Sequence, residues 1–392
     1  MSSNGNRQVR VGVVGVGSMG VLHARDLLAG KVRGAELRAV CDIDPAALAE
    51  WRALPCFSDH AELVRSGLVE AIVIATPHYE HTPISITALE QGLSVLTEKP
   101  LAVHKADCQR MIHAYERRPH AEQVFAEMFN QRTNPRYQKL RAMVQGGELG
   151  KIHRINWIIT DWFRSEAYYR SGGWRATWRG EGGGVLLNQC PHNIDLWQWI
   201  FGMPARVRAF CGFGRFHEIE VEDEVTAFLE YESGATGVFV TSTGEAPGTN
   251  RLEVAGERGK VVLENESFSF TQNQMPTGEY SRTTSERYGK PKTEQIAVTV
   301  PAGGTQHVGI MQNFVDAILT GMELIAPATE GILSVELANA MIYSALKSEM
   351  VALPLDGDAY ALELERLIRE SRHEKPDLQP RRPGDVASSF GS

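Results

Sequence analysis

The sequence predicts an α/β protein that begins with a doubly wound parallel sheet and continues with mainly antiparallel strands. Up to about residue 130, apolar strand-like runs alternate with helix-length segments, as βαβ crossovers require. Beyond that point, alternating apolar runs are joined by short turns, which is typical of β-hairpins. The 392 residues are enough for two domains of ordinary size.

The elements of the first third follow one another in strand–helix order. The run VRVGVVGVG at 9–17 is continuously apolar and rich in β-branched residues, which indicates a strand covered on both faces. It leads into a helix that is closed by Gly30. The alternating segments that follow are 36–42, 45–54, 71–76, 84–92, 93–99, 106–117 and 123–130. Helices of this length between strands predict parallel crossovers.

The remainder of the chain has a different pattern. A helix is predicted at 134–150, where the segment ends in glycines, and the polar segment 265–300 is predicted to be a loop or insertion of low order. The other predicted elements are hairpins at 224–243 and 252–264 and helices at 312–321 and 334–350. These elements predict an α+β arrangement after the parallel sheet.

Composition excludes several classes of partner. The net charge of −8, without clustered Lys or Arg, argues against nucleic acid. The polar start MSSNGNRQVR does not resemble a signal peptide, and no apolar run approaches the roughly 18 residues of a membrane span. The five cysteines are scattered and form no CxxC motif: Cys41, Cys56, Cys108, Cys190 and Cys211. We therefore expect reduced thiols and a cytoplasmic location.

The motif GVGSMG joins the first strand to the first helix. It places Gly15, Gly17 and Gly20 in GxGxxG spacing, with Ser18 and Met19 between them. In this context the first glycine allows a tight turn and the second lets backbone N–H groups approach a pyrophosphate. The third permits close helix–strand packing, and the helix N-terminus attracts negative charge. The motif predicts a dinucleotide site; a purely structural glycine turn is the alternative.

Asp42 ends the second predicted strand, at the distance from the glycines where an acidic residue accepts the ribose hydroxyls. Its negative charge would repel the 2′-phosphate of NADP. NAD is therefore the predicted cofactor, with NADP less favoured. The alternative for Asp42 is a helix N-cap.

The stretch SVLTEKPL brings Lys99 to the carboxyl end of the strand at 93–99, the edge where doubly wound sheets bind ligands. Oxidation of an alcohol requires a group that accepts the hydroxyl proton. Partial burial beside a positive nicotinamide ring would lower the pKa of a lysine toward a useful value. Glu98 and Pro100 would fix the direction of the side chain. Lys99 is the predicted proton acceptor; a solvated strand-end lysine is the alternative.

The motifs GVVGVGSMG, IATPHYEHTPISITALEQGLSVLTEKPLA, FNQRTNP and GELGKI resemble the glucose–fructose oxidoreductase/inositol dehydrogenase/MocA (Gfo/Idh/MocA) family. The resemblance extends from about residue 9 to about 355, through GERGKVVLE and SVELANAMIYSALKSEMVALPL. It implies a Rossmann-type dinucleotide-binding domain at 1–130 and an α+β substrate domain at 131–360 with a large, mostly antiparallel sheet. That sheet often forms the interface of a dimer or tetramer. Residues 361–392 are left as a partly flexible extension.

The resemblance also assigns residues to the cofactor. The set it adds to the glycine motif is Thr76, Pro77, His78, His81, Glu98, Lys99 and Asn130. The resemblance implies that Lys99 is the catalytic residue.

A second active-site motif of the family, D-x-x-x-H-x-x-D, is similar to NQCPHNID in this chain. His192 and Asp195 fit, whereas Asn188 stands where many relatives have aspartate. Residues at i, i+4 and i+7 share a helix face, so the three side chains can converge. Asparagine orients a hydroxyl but accepts no proton, so proton transfer is left to Lys99 and to His192, whose ordinary pKa is about 6.5. Asp195 is expected to contact substrate or orient His192, or else to pair structurally.

No metal is predicted. His192 with Asp195 and His78 with His81 are spaced closely enough to coordinate one. However, no Cys/His set has a recognised zinc spacing, and hydride transfer to nicotinamide needs no metal.

Six of the seven tryptophans fall between residues 157 and 199, interleaved with Arg and Tyr. Aromatic rings pack on the apolar face of a sugar or cyclitol, while Arg and Tyr bind its hydroxyls. At least half of the six are expected in the core or an interface, with Trp197 and Trp199 the best core candidates. The residues chosen for substrate contact are Arg164, Tyr168 and Trp174.

Together these features predict an NAD-dependent oxidoreductase that acts on a secondary hydroxyl of a sugar, glycoside or cyclitol. Two alternatives are open. A relative that retains NAD can hydrolyse a glycoside by oxidation, elimination and reduction, with no net redox change. A non-catalytic regulator could use the dinucleotide as a sensor, although such a protein has no need of Lys99 and His192.

Overall fold

The structure is a computed structural model and describes residues 7–374. Its first sheet contains strands β1 (Val9–Val14), β2 (Ala35–Cys41), β3 (Cys56–Phe57), β4 (Ala71–Ile74), β5 (Ser94–Thr97) and β6 (Phe125–Glu127). All neighbouring strands are parallel, in the order β3-β2-β1-β4-β5-β6. This order confirms the predicted doubly wound, Rossmann-type sheet.

Helices cover both faces of the parallel sheet, which explains why β1, β4 and β5 are almost continuously buried. The covering helices are α1 (Ser18–Leu28), α2 (His60–Arg65), α3 (His78–Glu90) and α4 (Lys105–Glu116). Helix α3 begins at His78, ahead of the predicted 84–92. The prediction started late because Pro83, which lies inside the helix, weakens the helical pattern of the sequence. The segment predicted at 45–54 is a short 3₁₀ helix, Ala47–Trp51.

The second sheet has nine strands: β7 (Ile152–Ile159), β8 (Arg206–Phe213), β9 (Glu222–Glu230), β10 (Thr236–Ser242), β11 (Asn250–Gly256), β12 (Gly259–Glu264), β13 (Ser267–Asn273), β14 (Thr293–Ile296) and β15 (Val351–Ala352). Their order is β14-β13-β12-β11-β7-β10-β9-β8-β15, and only β7 and β10 are parallel. The two predicted hairpins are confirmed as β9–β10 and β11–β12.

Alternation along these strands sends one face into the core. Ile155, Trp157 and Ile159 of β7 are buried, whereas Ile158 between them is exposed. The helices of this part of the chain are α5 (Pro135–Gln145), α6 (Glu166–Arg170), α7 (Pro191–Phe201), α8 (Thr277–Thr283), α9 (Gln306–Thr320), α10 (Ala328–Lys347) and α11 (Gly357–Glu370). Side chains of α7 and α10 fill the core beneath the sheet.

The prediction of low order for residues 265–300 is wrong. The segment forms β13, α8 and β14, and the two strands extend the sheet beyond β12. The strands lie at the edge, where polar side chains remain in contact with solvent, so the composition looked like that of a loop. Phe270 is the main buried anchor of the segment.

Helix α9 packs back on the parallel sheet, where Ile310, Phe314 and Val315 join the core around β1. Helix α11 continues through residue 360, the predicted end of the second domain. Residues 375–392 of the predicted extension lie outside the described residues. Within residues 7–374, no helix combines the length and apolar character needed to cross a membrane.

Candidate active site

The glycine turn between β1 and α1 is dictated by steric limits. Gly15 has φ +85°, and a Cβ there would lie 2.7 Å from the carbonyl oxygen of Ala75. A Cβ on Gly20 would lie 1.7 Å from the carbonyl oxygen of Gly15, so only hydrogen fits. Gly17 caps α1 without a side-chain hydrogen bond, which leaves the N–H groups of the first turn for a ligand.

Asp42 lies directly after β2 and is held beside this turn. Its Oδ2 accepts a hydrogen bond from the Val16 N–H at 2.8 Å, and its Oδ1 accepts one from the Asp44 N–H at 2.9 Å. Each carboxylate oxygen retains a lone pair for a further donor, such as a ribose hydroxyl.

Two buried polar atoms along the same crevice have no hydrogen-bond partner among the described residues: Thr76 Oγ1 and Asn130 Oδ1. Buried polar atoms in native proteins are nearly always satisfied, by protein, water or ligand. The Asn130 amide is held in place because its Nδ2 donates to Gln306 Oε1 at 2.8 Å. With the open helix terminus after Gly17 and with Pro77 at the start of α3, these residues fit a bound dinucleotide.

The two histidines of α3 differ in their contacts. His81 bridges Thr76 and Pro100, with its ring nitrogens 3.0 and 2.8 Å from their carbonyl oxygens. The contacts of His78 are instead with the substrate side: Nδ1 lies 3.1 Å from the Glu181 carbonyl oxygen, and the ring packs edge-on against Trp174. Burial lowers the pKa of both imidazoles.

Lys99 lies just after β5 and reaches across to the second domain. Its Nζ donates a hydrogen bond to the backbone oxygen of Asn188 at 2.8 Å. Burial lowers the pKa of Lys99 below the ordinary value of 10.5; Glu98 and Glu181 oppose this effect, while Arg175 and Arg164 add to it. The ammonium is thus held where loss of its proton is made easier.

Glu98 is paired with a histidine that sequence reasoning missed. His23 of α1 lies on the buried helix face that includes Gly20 and Ala24, and its Nε2 is 2.7 Å from Glu98 Oε1. Burial alone would raise the pKa of Glu98, but the hydrogen bond and charge of His23, with His307 and Lys99, lower it to about 2. A polar residue on an otherwise apolar helix face was the available signal.

His192 lies in the first turn of α7 and faces the same crevice as Lys99. Burial and the positive charge of Lys99 lower the pKa of His192 well below 6.5, so the imidazole is neutral at neutral pH. Its Nδ1 has no hydrogen-bond partner among the described residues, and its ring packs against Phe129. Lys99 is therefore near enough for its charge to act on the His192 imidazole.

Asp195 does not face this crevice, so the expectation that it contacts substrate is corrected. The side chain is 1% exposed, and its two oxygens accept hydrogen bonds from Arg132 Nε at 2.9 Å and Nη2 at 2.6 Å. Gln198 Nε2 donates a third bond at 2.9 Å. Structural pairing, the stated alternative, describes Asp195, because the buried arginine of FNQRTNP requires a carboxylate.

Opposite Lys99, a hydrogen-bond network fixes the amide of Asn188. Tyr168 Oη donates to Asn188 Oδ1 at 3.3 Å, and Asn188 Nδ2 donates to Glu181 Oε1. Tyr168 Oη also accepts hydrogen bonds from Arg175 Nη1 at 2.7 Å and Gln189 Nε2 at 3.0 Å. Sequence reasoning missed Glu181, Arg175 and Gln189. Residues 171–190 form turns and bends, so no helix or strand period predicts which of their side chains meet.

The aromatic residues divide as expected between core and site. Trp157, Trp178 and Trp197 are buried in the core beneath the nine-stranded sheet. Trp174 instead lies near the site, between His78 and Arg175. Trp199, a predicted core residue, is only partly buried and stacks with two arginines.

The cysteines and the metal-ligating side chains of residues 7–374 bear on two other kinds of chemistry. All five cysteines are free thiols, and burial raises the pKa of Cys190, next to the active-site helix, to about 12. A buried thiol with a raised pKa forms little thiolate and is therefore poorly reactive. No group of three His, Cys, Asp or Glu side chains in this part of the chain has the arrangement of a metal site.

A dinucleotide crevice at a topological switch point, with a lysine and a neutral histidine at its inner end, defines the class of nucleotide-dependent oxidoreductases. Residues 9–126 match the model of the oxidoreductase family with an NAD-binding Rossmann fold, and residues 137–262 match the GFO/IDH/MocA C-terminal domain. The chain belongs to the Gfo/Idh/MocA family of oxidoreductases.

Known proteins similar to this chain include two curated relatives. Myo-inositol 2-dehydrogenase of Thermotoga maritima is 26% identical over 66% of this chain and 75% of the relative. Inositol 2-dehydrogenase of Rubrobacter xylanophilus is 32% identical over 66% of this chain and 72% of the relative. Among solved structures, the WlbA dehydrogenase from Chromobacterium violaceum in complex with NADH and UDP-GlcNAcA is 28% identical, with a TM-score of 0.76 over 90% of this chain and 98% of that one.

Proposed function

We propose that this protein is an NAD-dependent dehydrogenase that oxidises a secondary hydroxyl of a sugar, glycoside or cyclitol. The observation that carries the proposal is the position of Lys99, whose ammonium is held at the Asn188 carbonyl oxygen between the cofactor crevice and the Tyr168 network. The inositol dehydrogenases and the NADH-bound WlbA dehydrogenase among the similar proteins support this activity.

The cofactor would be held by the glycine turn and the crevice behind it. The N–H groups around Gly17, Ser18 and Met19 would bind the pyrophosphate, and Asp42 would accept hydrogen bonds from the adenosine ribose. Bound NAD supplies an acceptor for the hydride of the carbinol carbon. Thr76 Oγ1 and Asn130 Oδ1 are free to bind its polar groups.

The residues of this chain would move the proton. Neutral Lys99 accepts the proton of the substrate hydroxyl, and the lowered pKa makes its neutral form more abundant. Neutral His192 offers a nitrogen for a hydrogen bond to the same hydroxyl or for passing on the proton. Asn188 has its amide fixed by Tyr168 and Glu181, and would orient a neighbouring hydroxyl.

The preference for NAD over NADP is also proposed, and it depends on Asp42. The Asp42→Asn variant removes the negative charge but retains an oxygen for the Val16 N–H. We expect the ratio of kcat/KM with NAD to that with NADP to fall by about tenfold, since one repelled charge contributes about 1.4 kcal/mol. An unchanged ratio would remove Asp42 from cofactor selection.

The activity is tested by incubating the purified protein with NAD and a panel of aldoses, glycosides and inositols. Stoichiometric accumulation of NADH with one substrate class supports the proposal. Release of an aglycone without NADH would instead indicate the redox-neutral hydrolase. No turnover with any member of the panel, together with intact NAD binding, would favour the sensing regulator.

We further propose a dimer or tetramer formed through the outer face of the nine-stranded sheet. Three apolar side chains are exposed on this face: Phe210 by 63%, Phe228 by 38% and Ile158 by 37%. Apolar surface that is exposed in one subunit is typical of a protein–protein interface. Sedimentation velocity tests this: a monomer at micromolar concentration would contradict it. A cytoplasmic location is proposed as well, supported by the five free thiols; detection in an exported fraction would contradict it.

A further inference from the structure

We propose that the substrate carries an anionic group, a carboxylate or phosphate, which Arg164 and Arg175 bind beside the hydroxyl that reacts at Lys99. The inference rests on the proposed function and narrows its substrate class.

Neither guanidinium has an acidic partner. Within residues 7–374, no Asp or Glu oxygen lies within 4.0 Å of Arg164 or Arg175, whereas Arg170 of the same segment pairs with Glu218. Arg164 donates from Nη1 to the backbone oxygen of Phe163, and its buried Nε has no described partner. A guanidinium has five N–H donors, so most of the donors of both arginines remain available.

Aromatic stacking holds the two arginines at the active site. The guanidinium carbons of Arg164 and Arg175 lie 5.1 and 4.7 Å from the ring centroid of Tyr168, and that of Arg175 lies 4.6 Å from Trp174. Stacking on a ring restrains a guanidinium plane while its N–H edge stays free for a planar acid.

The same tyrosine connects the arginines to the reacting centre. Tyr168 Oη accepts from Arg175 and donates to Asn188 Oδ1, and the Asn188 backbone oxygen accepts from Lys99 Nζ. Both arginines are also close enough to Lys99 to lower its pKa. A ring whose hydroxyl faces Lys99 would therefore extend toward the guanidiniums.

The two acids that act on Lys99 are each engaged by other groups. Against Lys99 and the two arginines stand Glu98 and Glu181, the acids that act on Lys99. Glu98 is engaged by His23, and Glu181 accepts hydrogen bonds from the Ala176 N–H and Asn188. An anionic substrate would gain charge-assisted, bidentate hydrogen bonds from the two guanidiniums, which form no ion pair among residues 7–374.

The test compares three substrates of one ring: D-glucose, D-glucuronate and D-glucose 6-phosphate. Each is assayed with NAD for kcat/KM and, in the presence of NADH, for equilibrium binding by calorimetry. The variants are Arg175→Gln and Arg164→Gln, with Arg175→Lys to restore charge. Arg170→Gln is the matched control, because Glu218 already neutralises that arginine.

We expect one of the two anions to exceed glucose at least tenfold in kcat/KM or affinity, and the anion-to-glucose ratio to fall about tenfold or more in both Gln variants. The lysine variant should recover part of the loss, and the control should retain the wild-type ratio. Glucuronate above glucose 6-phosphate would identify a carboxylate, and the reverse order a phosphate.

Equal ratios in wild type and both Gln variants would overturn the anion site, as would a preference for glucose. Arginine-dependent binding of an anion without NADH formation would contradict the proposed dehydrogenase but support the anion site. Turnover of neutral sugars alone would support the proposed dehydrogenase but contradict the anion site. NAD affinity, measured for every variant, shows that the cofactor domain is folded.

Discussion

The two sides of Lys99 are built by different means. On the cofactor side, the positions are set by backbone: a glycine turn with no room for a Cβ, and strand ends that meet at one edge of a parallel sheet. On the substrate side, Tyr168, Asn188, Glu181 and Arg175 hold one another through side-chain hydrogen bonds on an irregular segment. The difference teaches that the shape of the cofactor turn depends on backbone geometry, whereas the arrangement of the substrate side depends on individual side chains.

The largest effect is predicted for Asp195, which lies on neither the cofactor side nor the substrate side of Lys99. Asp195→Ala should lower the free energy of unfolding by about 3–5 kcal/mol, because it leaves Arg132 buried with one carboxylate fewer. Urea unfolding measures this change. The matched control is Glu330→Ala, which removes the 42% exposed partner of the same arginine and should cost at most about 1 kcal/mol.

If Asp195→Ala lowered the free energy of unfolding by only tenths of a kcal/mol and raised KM strongly, Asp195 would be a substrate-binding residue. The structural assignment would then be wrong.

The next largest effect is predicted for Lys99, which lies between the cofactor side and the substrate side. Lys99→Ala should lower turnover at least about 100-fold, since it removes the group that accepts the hydroxyl proton. NAD affinity should change little. Lys99→Arg should be equally impaired, because a guanidinium stays protonated. Steady-state NADH formation and calorimetric NAD titration measure the two properties, and turnover near wild type in either variant would exclude Lys99 as the base.

A smaller effect is predicted for the charged residues on the two sides of Lys99 that shift its pKa. Oxidation should require neutral Lys99, so its rate should rise with pH through a pKa below 10.5. Glu98→Gln removes a negative charge that raises the pKa of Lys99, so the inflection should move to lower pH. Arg175→Gln removes a positive charge that lowers this pKa, so the inflection should move to higher pH.

The pH profiles of kcat/KM for the two variants should therefore shift in opposite directions from that of the wild type. Shifts in one common direction, or none, would show that the observed inflection does not belong to Lys99.

The sequence predicted the positions that backbone geometry sets better than the positions that side-chain contacts set. GxGxxG, Asp42 and EKP were readable because local backbone geometry fixes what each position requires. The helix spacing expected for Asn188, His192 and Asp195 is wrong, because α7 begins at Pro191 and leaves Asn188 in the turn before it, while Asp195 binds Arg132.

His23 was not readable, since its partner Glu98 lies 75 residues away and only the packed fold joins them. Glu181 and Arg175 lie only 7 residues from Asn188 and Tyr168, but the turns around them follow no helix or strand period that would predict which side chains meet. The strands within 265–300 were missed because exposed edge strands carry loop-like polar residues.

The central claim is that one cleft brings the ammonium of Lys99 to the hydroxyl that loses its hydride. A crystal structure of the protein with NADH and the preferred substrate of the sugar panel tests it most directly. We predict that Lys99 Nζ lies about 2.6–3.2 Å from one secondary hydroxyl, whose carbon faces the nicotinamide ring. A substrate whose reactive hydroxyl contacts only other groups, with Lys99 Nζ still bound to the Asn188 carbonyl oxygen and out of reach, would contradict the account.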